Sequence, residues 1–179
     1  DGKLDTSVRV GQAWAGAIEF TVGPSGIARG GGIRIFTPPT AWDGPPAVEG
    51  TIQVSPPTDS KPHTDVVSRQ VQGWIVVASF PDGPLTPGSR IRFHYSTRFV
   101  QKYSERELIW PVESDVDGDG KYALLEDRSQ PRLQVVAGPP ARLRIGAPSL
   151  IESASDIAVR ILVMDDLNNP VEQEFSETV

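Results

Sequence analysis

The stretch AWAGAIEFTV, Ala13 to Val22, decides the fold class. Trp14, Gly16, Ile18, Phe20 and Val22 fall on one side of an extended chain, while Glu19 and Thr21 fall on the other. A period of two belongs to a strand with one buried face, because successive side chains point to opposite faces of a sheet. The pattern returns along the chain. Val48, Ile52 and Val54 alternate in VEGTIQV, Trp74, Val76 and Ala78 in GWIVVAS, and Ile91, Phe93 and Tyr95 in RIRFHY. Leu108, Trp110 and Val112 follow, then Tyr122 and Leu124, then Leu133, Val135 and Ala137.

Between these segments lie the breakers. Glycine and proline number 17 each and come in bunches, such as Gly23-Pro24-Ser25-Gly26, Gly44-Pro45-Pro46, Pro81-Asp82-Gly83-Pro84 and Gly138-Pro139-Pro140. No segment carries a helical stripe with capped ends. Many short alternating strands separated by turn residues describe an all-β, antiparallel, immunoglobulin-like β-sandwich. The Gly138-Pro139-Pro140 interruption divides the chain into a β-sandwich domain over residues 1–137 and a second part over 138–179. There RLRIGAP and DIAVRILVMDD read as strands, LNNP as a turn and VEQEF as the start of a third strand. These are the opening strands of a second immunoglobulin-like module, too few to close a sandwich, and a truncated module is the expectation.

Composition narrows the function classes. The 179 residues hold no cysteine, which excludes disulfides, thiolate metal sites and cysteine nucleophiles. The compartment stays unknown, with an extracytoplasmic one slightly favoured. No apolar run approaches a membrane span and no basic-then-apolar leader opens the chain. A net charge of −6, with Arg90, Arg92, Arg98, Lys102, Arg142 and Arg144 scattered, argues against nucleic acid as a partner.

One motif carries chemistry. DVDGDGKYALLE, Asp115 to Glu126, matches the spacing of an EF-hand calcium loop, D-x-D-x-D-G followed by five residues and a glutamate. Calcium takes about six to eight oxygens. Asp115, Asp117 and Asp119, the Lys121 carbonyl, and Glu126 or Asp127 are the candidate ligands for one structural Ca2+. The flanks read as strands, whereas an EF-hand needs helices, and Asp-Gly pairs are ordinary hairpin residues. A calcium loop and an acidic β-turn both stand.

The other candidates are weaker. GPSGIARGGG lacks the Gly-Lys-Ser/Thr ending of a phosphate loop and reads as a mobile turn. His63 lies in the Pro-rich SPPTDSKPHTD and His94 on the wet face of a strand, and neither carries a nucleophile-elbow or metal-ligand pattern. The chain therefore reads as a non-enzyme. Trp42, in TAWDGPP, sits in a loop outside the alternation. It is the candidate ring for binding a polysaccharide or another ligand, unless it folds back as a plug over the end of the sandwich.

Four stretches carry a family resemblance: TVGPSGIARGGGIRI (Thr21 to Ile35), FPDGPLTPGSRIRFHY (Phe80 to Tyr95), DVDGDGKY (Asp115 to Tyr122) and LQVVAGPPARLRIGAPS (Leu133 to Ser149). They resemble the N-terminal β region of a bacterial family of unknown function, whose full-length members carry a PHP-like metal-dependent hydrolase domain. With two histidines and this length, the chain does not contain that domain, and no catalytic residue carries over. The resemblance implies an accessory module whose partner is a neighbouring domain of the same polypeptide.

Overall fold

The computed structural model describes residues 3–37, 42, 52–55, 62–68, 73–148 and 159–172. The chain runs through β1 (Lys3–Arg9), β2 (Trp14–Thr21), β3 (Gly32–Phe36), β4 (Ile52–Ser55), β5 (His63–Ser68), β6 (Trp74–Ser79) and β7 (Arg90–Thr97). It continues through β8 (Glu105–Ile109), β9 (Val112–Asp115), β10 (Ala123–Leu124), a single 3-10 turn at Asp127–Ser129, β11 (Arg132–Val136), β12 (Arg142–Gly146) and β13 (Arg160–Met164). The described residues contain no α-helix, and the fold is all-β with several antiparallel sheets, as an all-β sandwich requires.

The opening stretch forms β2, which pairs antiparallel with β7 along its whole length, Trp14 opposite Thr97 and Thr21 opposite Arg90. The alternation in β7 becomes burial without exception. Ile91, Phe93, Tyr95 and Thr97 are buried, while Arg90, Arg92, His94 and Ser96 are exposed. On the wet face Glu19 of β2 meets Arg92 at 3.1 Å and Arg90 at 3.5 Å, cross-strand pairs set by the register. With β4 on the other side of β7, this is a three-stranded sheet in the order β2-β7-β4.

A five-stranded sheet in the order β10-β9-β3-β6-β5 supplies Ile33, Ile35, Val76, Ala78 and Val112 to the core. A third, β1-β11-β8, supplies Val8, Leu108, Leu133 and Val135. All belong to one hydrophobic cluster with Ile18, Ile91 and Phe93. Within it Tyr95 and Trp110 meet edge to face, their ring centroids 5.1 Å apart.

Two expectations are corrected, and one strand pair adds to the antiparallel pattern: β1 runs parallel to β11, with Val8 opposite Val135. A parallel pair needs a long crossover, and here nearly all the intervening chain serves as one. The phase of β10 is inverted, because Leu124 is 63% exposed while Leu125 packs against the core. A displacement of one residue is enough to swap the two faces of a strand. His63, placed in a loop by its prolines, opens β5, where it is exposed and lies 3.3 Å from Asp65.

Beyond β11 the chain pairs differently. β12 and β13 bond to each other and to no other described strand, Arg142 opposite Met164 and Gly146 opposite Arg160. The expected third strand at VEQEF lies outside the described residues from position 173 onward, as do Val48, most of the Trp42 loop and residues 149–158.

Candidate functional site: an acidic turn and a buried clasp

The acidic turn follows β9 directly. Asp115 is 1% exposed, and its carboxylate faces back into its own turn. Oδ1 accepts from the Gly118 N–H at 2.8 Å and the Asp119 N–H at 3.3 Å, and Oδ2 accepts from the Gly120 N–H at 2.9 Å. Successive backbone amides converge on one anion, an arrangement that turns with left-handed residues provide. Gly118 and Gly120 have φ of 73° and 81°, so glycine is the natural residue at both.

The turn rests on the glycine-rich segment before β3. The Ala28 N–H donates to the Val116 carbonyl at 2.8 Å, and a side chain at Gly118 would strike the Arg29 carbonyl. Gly31 and Gly32 are equally confined, by the Asp115 and Ala78 carbonyls. Ile27 and Leu85 exchange two backbone hydrogen bonds at 3.0 and 2.8 Å. GPSGIARGGG is therefore a packed seam rather than a mobile turn, and Gly26, Gly31 and Gly32 allow the close backbone approach.

The remaining candidate ligands do not converge. Asp117 is exposed. Asp119 turns to Lys121, whose Nζ lies 2.6 Å away and whose N–H donates to it at 2.9 Å. These hydrogen bonds hold its carboxyl below the ordinary 3.8. Glu126 accepts from Arg128 at 2.8 Å, and Asp127 from Arg132 at 2.7 Å. Calcium requires oxygens facing inward. Asp115 is satisfied by three backbone N–H groups, and Asp119, Glu126 and Asp127 are paired with Lys121, Arg128 and Arg132. Among the described residues no group of three or more acidic or histidine side chains is placed to hold a metal.

Trp42 is 7% exposed, with its indole N–H donating to Gln101 Oε1 at 3.3 Å. Its ring meets Trp14 at 5.5 Å and Trp110 at 5.6 Å, both edge to face. It is a plug over the aromatic end of the core and not an exposed ring. The physical reason is the size of the indole, which is better buried where its N–H finds an acceptor. His94 lies on the exposed face of β7, and His63 on β5.

The constellation that sequence reasoning missed lies in DLNNP, where β13 ends. Asp165 is fully buried. Its carboxylate accepts from the N–H groups of Gly138 (2.8 Å), Leu167 (2.9 Å) and Asn169 (2.7 Å), and from the Asn169 side-chain amide at 3.0 Å. Burial pushes its pKa up, but the hydrogen bonds from Asn169, Gly138 and Leu167 outweigh burial and hold it below the ordinary 3.8. Asn169 passes the connection to the 102–104 segment. Its Oδ1 accepts from the Ser104 N–H at 2.7 Å, and its Nδ2 donates to the Lys102 carbonyl at 2.8 Å. Leu167 packs against the core, close to Gly11 and Phe99. Asn168 takes φ of 68°, a left-handed conformation that asparagine tolerates.

One buried carboxylate thus ties together the end of β11, the end of β13 and the 102–104 segment. Beside it a cleft of about 520 Å³ opens between Ser104–Arg106, Gln134–Ala137 and Pro170, and the exposed Arg106–Glu172 ion pair, 2.7 Å long, is part of its lining. The only sequence signal for the clasp was an aspartate four residues before an asparagine in a turn.

No protein-family model matches the chain, and no curated protein matches it. Among the described residues, no helix is long and apolar enough to cross a membrane.

Proposed function

We infer that the chain is a non-catalytic β module that holds a neighbouring domain of the same polypeptide in a fixed orientation. The observation that carries this reading is the Asp165–Asn169 clasp. A joint between β units is ordinarily an exposed, Pro/Gly-rich linker, and relative motion is the default. The Gly138-Pro139-Pro140 joint has that composition, yet its Gly138 N–H is held by a buried carboxylate that also anchors the turn after β13. Removing one partner from such a network leaves buried donors unpaired, which costs about 1–3 kcal/mol for each group. Bending at the joint would require that cost, so β12 and β13 are held against the first sandwich. The resemblance of the four stretches to an N-terminal region preceding a larger domain supports the same reading. The reading needs no metal.

The chain lacks cysteine, so paired spin labels can be placed cleanly. With one label at Arg92 on the wet face of β7 and one at Arg144 on β12, the distance distribution is expected to be narrow. It should broaden in Asp165→Ala. A broad distribution in the parent chain, or one that Asp165→Ala leaves unchanged, removes the basis of the orienting role.

A further inference from the structure

The β12–β13 ribbon has two unlike faces. Directly opposed residues in an antiparallel pair share a face. Leu143 stands opposite Val163 and Ile145 opposite Ile161, so these four share one face, extended by Val159 two residues before Ile161. The other face carries Arg142, Arg144 and Arg160 together with Leu162 and Met164. The apolar face is open to solvent: Leu143 is 68% exposed, Ile145 67%, Ile161 60% and Val159 53%. No charge interrupts this apolar face.

We propose that the face formed by Leu143, Ile145, Val159, Ile161 and Val163 is the inner face of a second sandwich, covered by a β-sheet that follows in the same polypeptide. This rests on the orienting role inferred above and names the surface through which it acts. Three observations favour that occupant. The face has the period-two, charge-free pattern that a facing sheet matches when two sheets pack about 10 Å apart. Two strands are too few to be stable as a separate unit, so the ribbon needs further strands to complete a layer. The exposed apolar area is on the order of a few hundred Å². Free partners that associate stably bury about 1,200–2,000 Å² in total. A patch this small suits a tethered sheet, whose effective concentration reaches roughly the millimolar range, better than a second copy arriving from solution. On the other face Arg142 donates to the Asp166 carbonyl at 2.8 Å, and its cross-strand neighbour Met164 is buried.

Single cysteines test this without background. Ile145→Cys places a thiol on the apolar face and Arg144→Cys places one on the basic face. Thiol labelling rates are compared in the 179-residue chain and in the full-length natural polypeptide. In the short chain both positions should label at similar, rapid rates. In the full-length polypeptide Ile145→Cys should slow by about tenfold or more while Arg144→Cys keeps its rate. Equal labelling of the two in the full-length polypeptide overturns the proposal, and so does a natural polypeptide with no β-sheet beyond residue 179. Protection of Ile145→Cys in the short chain, with a dimer by light scattering, assigns the face to a second copy and overturns it as well. The spin-label distances at Arg92 and Arg144 are read separately. A narrow distribution beside a fully reactive Ile145→Cys would remove the covered face and leave the orienting role standing.

Discussion

Replacing Asp115 by alanine separates a metal loop from a turn that closes on its own carboxylate. The side chain is 1% exposed and receives three backbone N–H groups. The bonds from Gly118 and Gly120 are 2.8 and 2.9 Å long, whereas the bond from Asp119 is 3.3 Å and its residue is exposed, so water replaces that one readily. Two charge-assisted hydrogen bonds lost at about 1.5 kcal/mol each give a destabilisation of about 3 kcal/mol. For a domain of this size that is a fall in Tm of about 6–12 °C. Asp115→Asn retains an acceptor for one of the two strong donors and should lose about half as much. Asp117→Ala, at an exposed position, should stay within about 0.5 kcal/mol. The assay is thermal and urea unfolding of the parent and the three variants, each in EDTA and again with excess calcium. A ligand that binds only the folded state must raise its apparent stability. The parent Tm is expected to be the same with and without calcium. A calcium-dependent rise, or Asp115→Ala and Asp117→Ala costing the same, would refute the reasoning and restore the metal loop.

Three further outcomes follow from the geometry. Because the folded pKa of Asp165 lies below 3.8, its contribution is complete above that value and is lost as pH falls through the lower folded value. Acid titration of stability should therefore be flatter below about pH 4 in Asp165→Asn than in the parent, and parallel curves would contradict the assignment. Trp42→Ala should destabilise by about 3–5 kcal/mol, read from denaturant midpoints, whereas an exposed binding ring would cost almost nothing. Gly32→Ala should lower stability by more than the roughly 1 kcal/mol typical of a point substitution, because its Cβ would meet the Ala78 carbonyl; a neutral result would mean the seam is looser than described.

Strand identity was legible wherever burial on one face was strong. β7 alternates without a fault because it is the central strand of its sheet, with β2 and β4 on either side. β1 was not legible, since KLDTSVR carries little apolar signal and earns its place by pairing with β11 through the backbone. Its direction was equally hidden, because parallel and antiparallel neighbours leave the same side-chain period. The inverted phase of β10 shows the other limit. Alternation gives the two faces of a strand, but which one meets the core depends on how many residues the preceding turn consumes.

The acidic turn was legible as a place and ambiguous as chemistry, for a physical reason. A carboxylate oxygen accepts positive charge density from a bound cation or from a backbone N–H. Aspartates and glycines at alternate positions in a tight turn suit both. What distinguishes the two is whether the other carboxylates turn toward Asp115, and in the structure Asp119, Glu126 and Asp127 pair with Lys121, Arg128 and Arg132. The place of the turn is set by what it packs on, namely the Ala28–Gly31 seam more than eighty residues earlier in the chain. The Asp165 clasp obeys the same logic at lower visibility. An aspartate accepting from residues two and four positions ahead looks in sequence like any Asx turn, and only the return of Gly138 and the reach of Asn169 to Ser104 make it a joint. Both sites take their meaning from a distant backbone segment. Local pattern could name the carboxylate in the acidic turn but could not say what it holds.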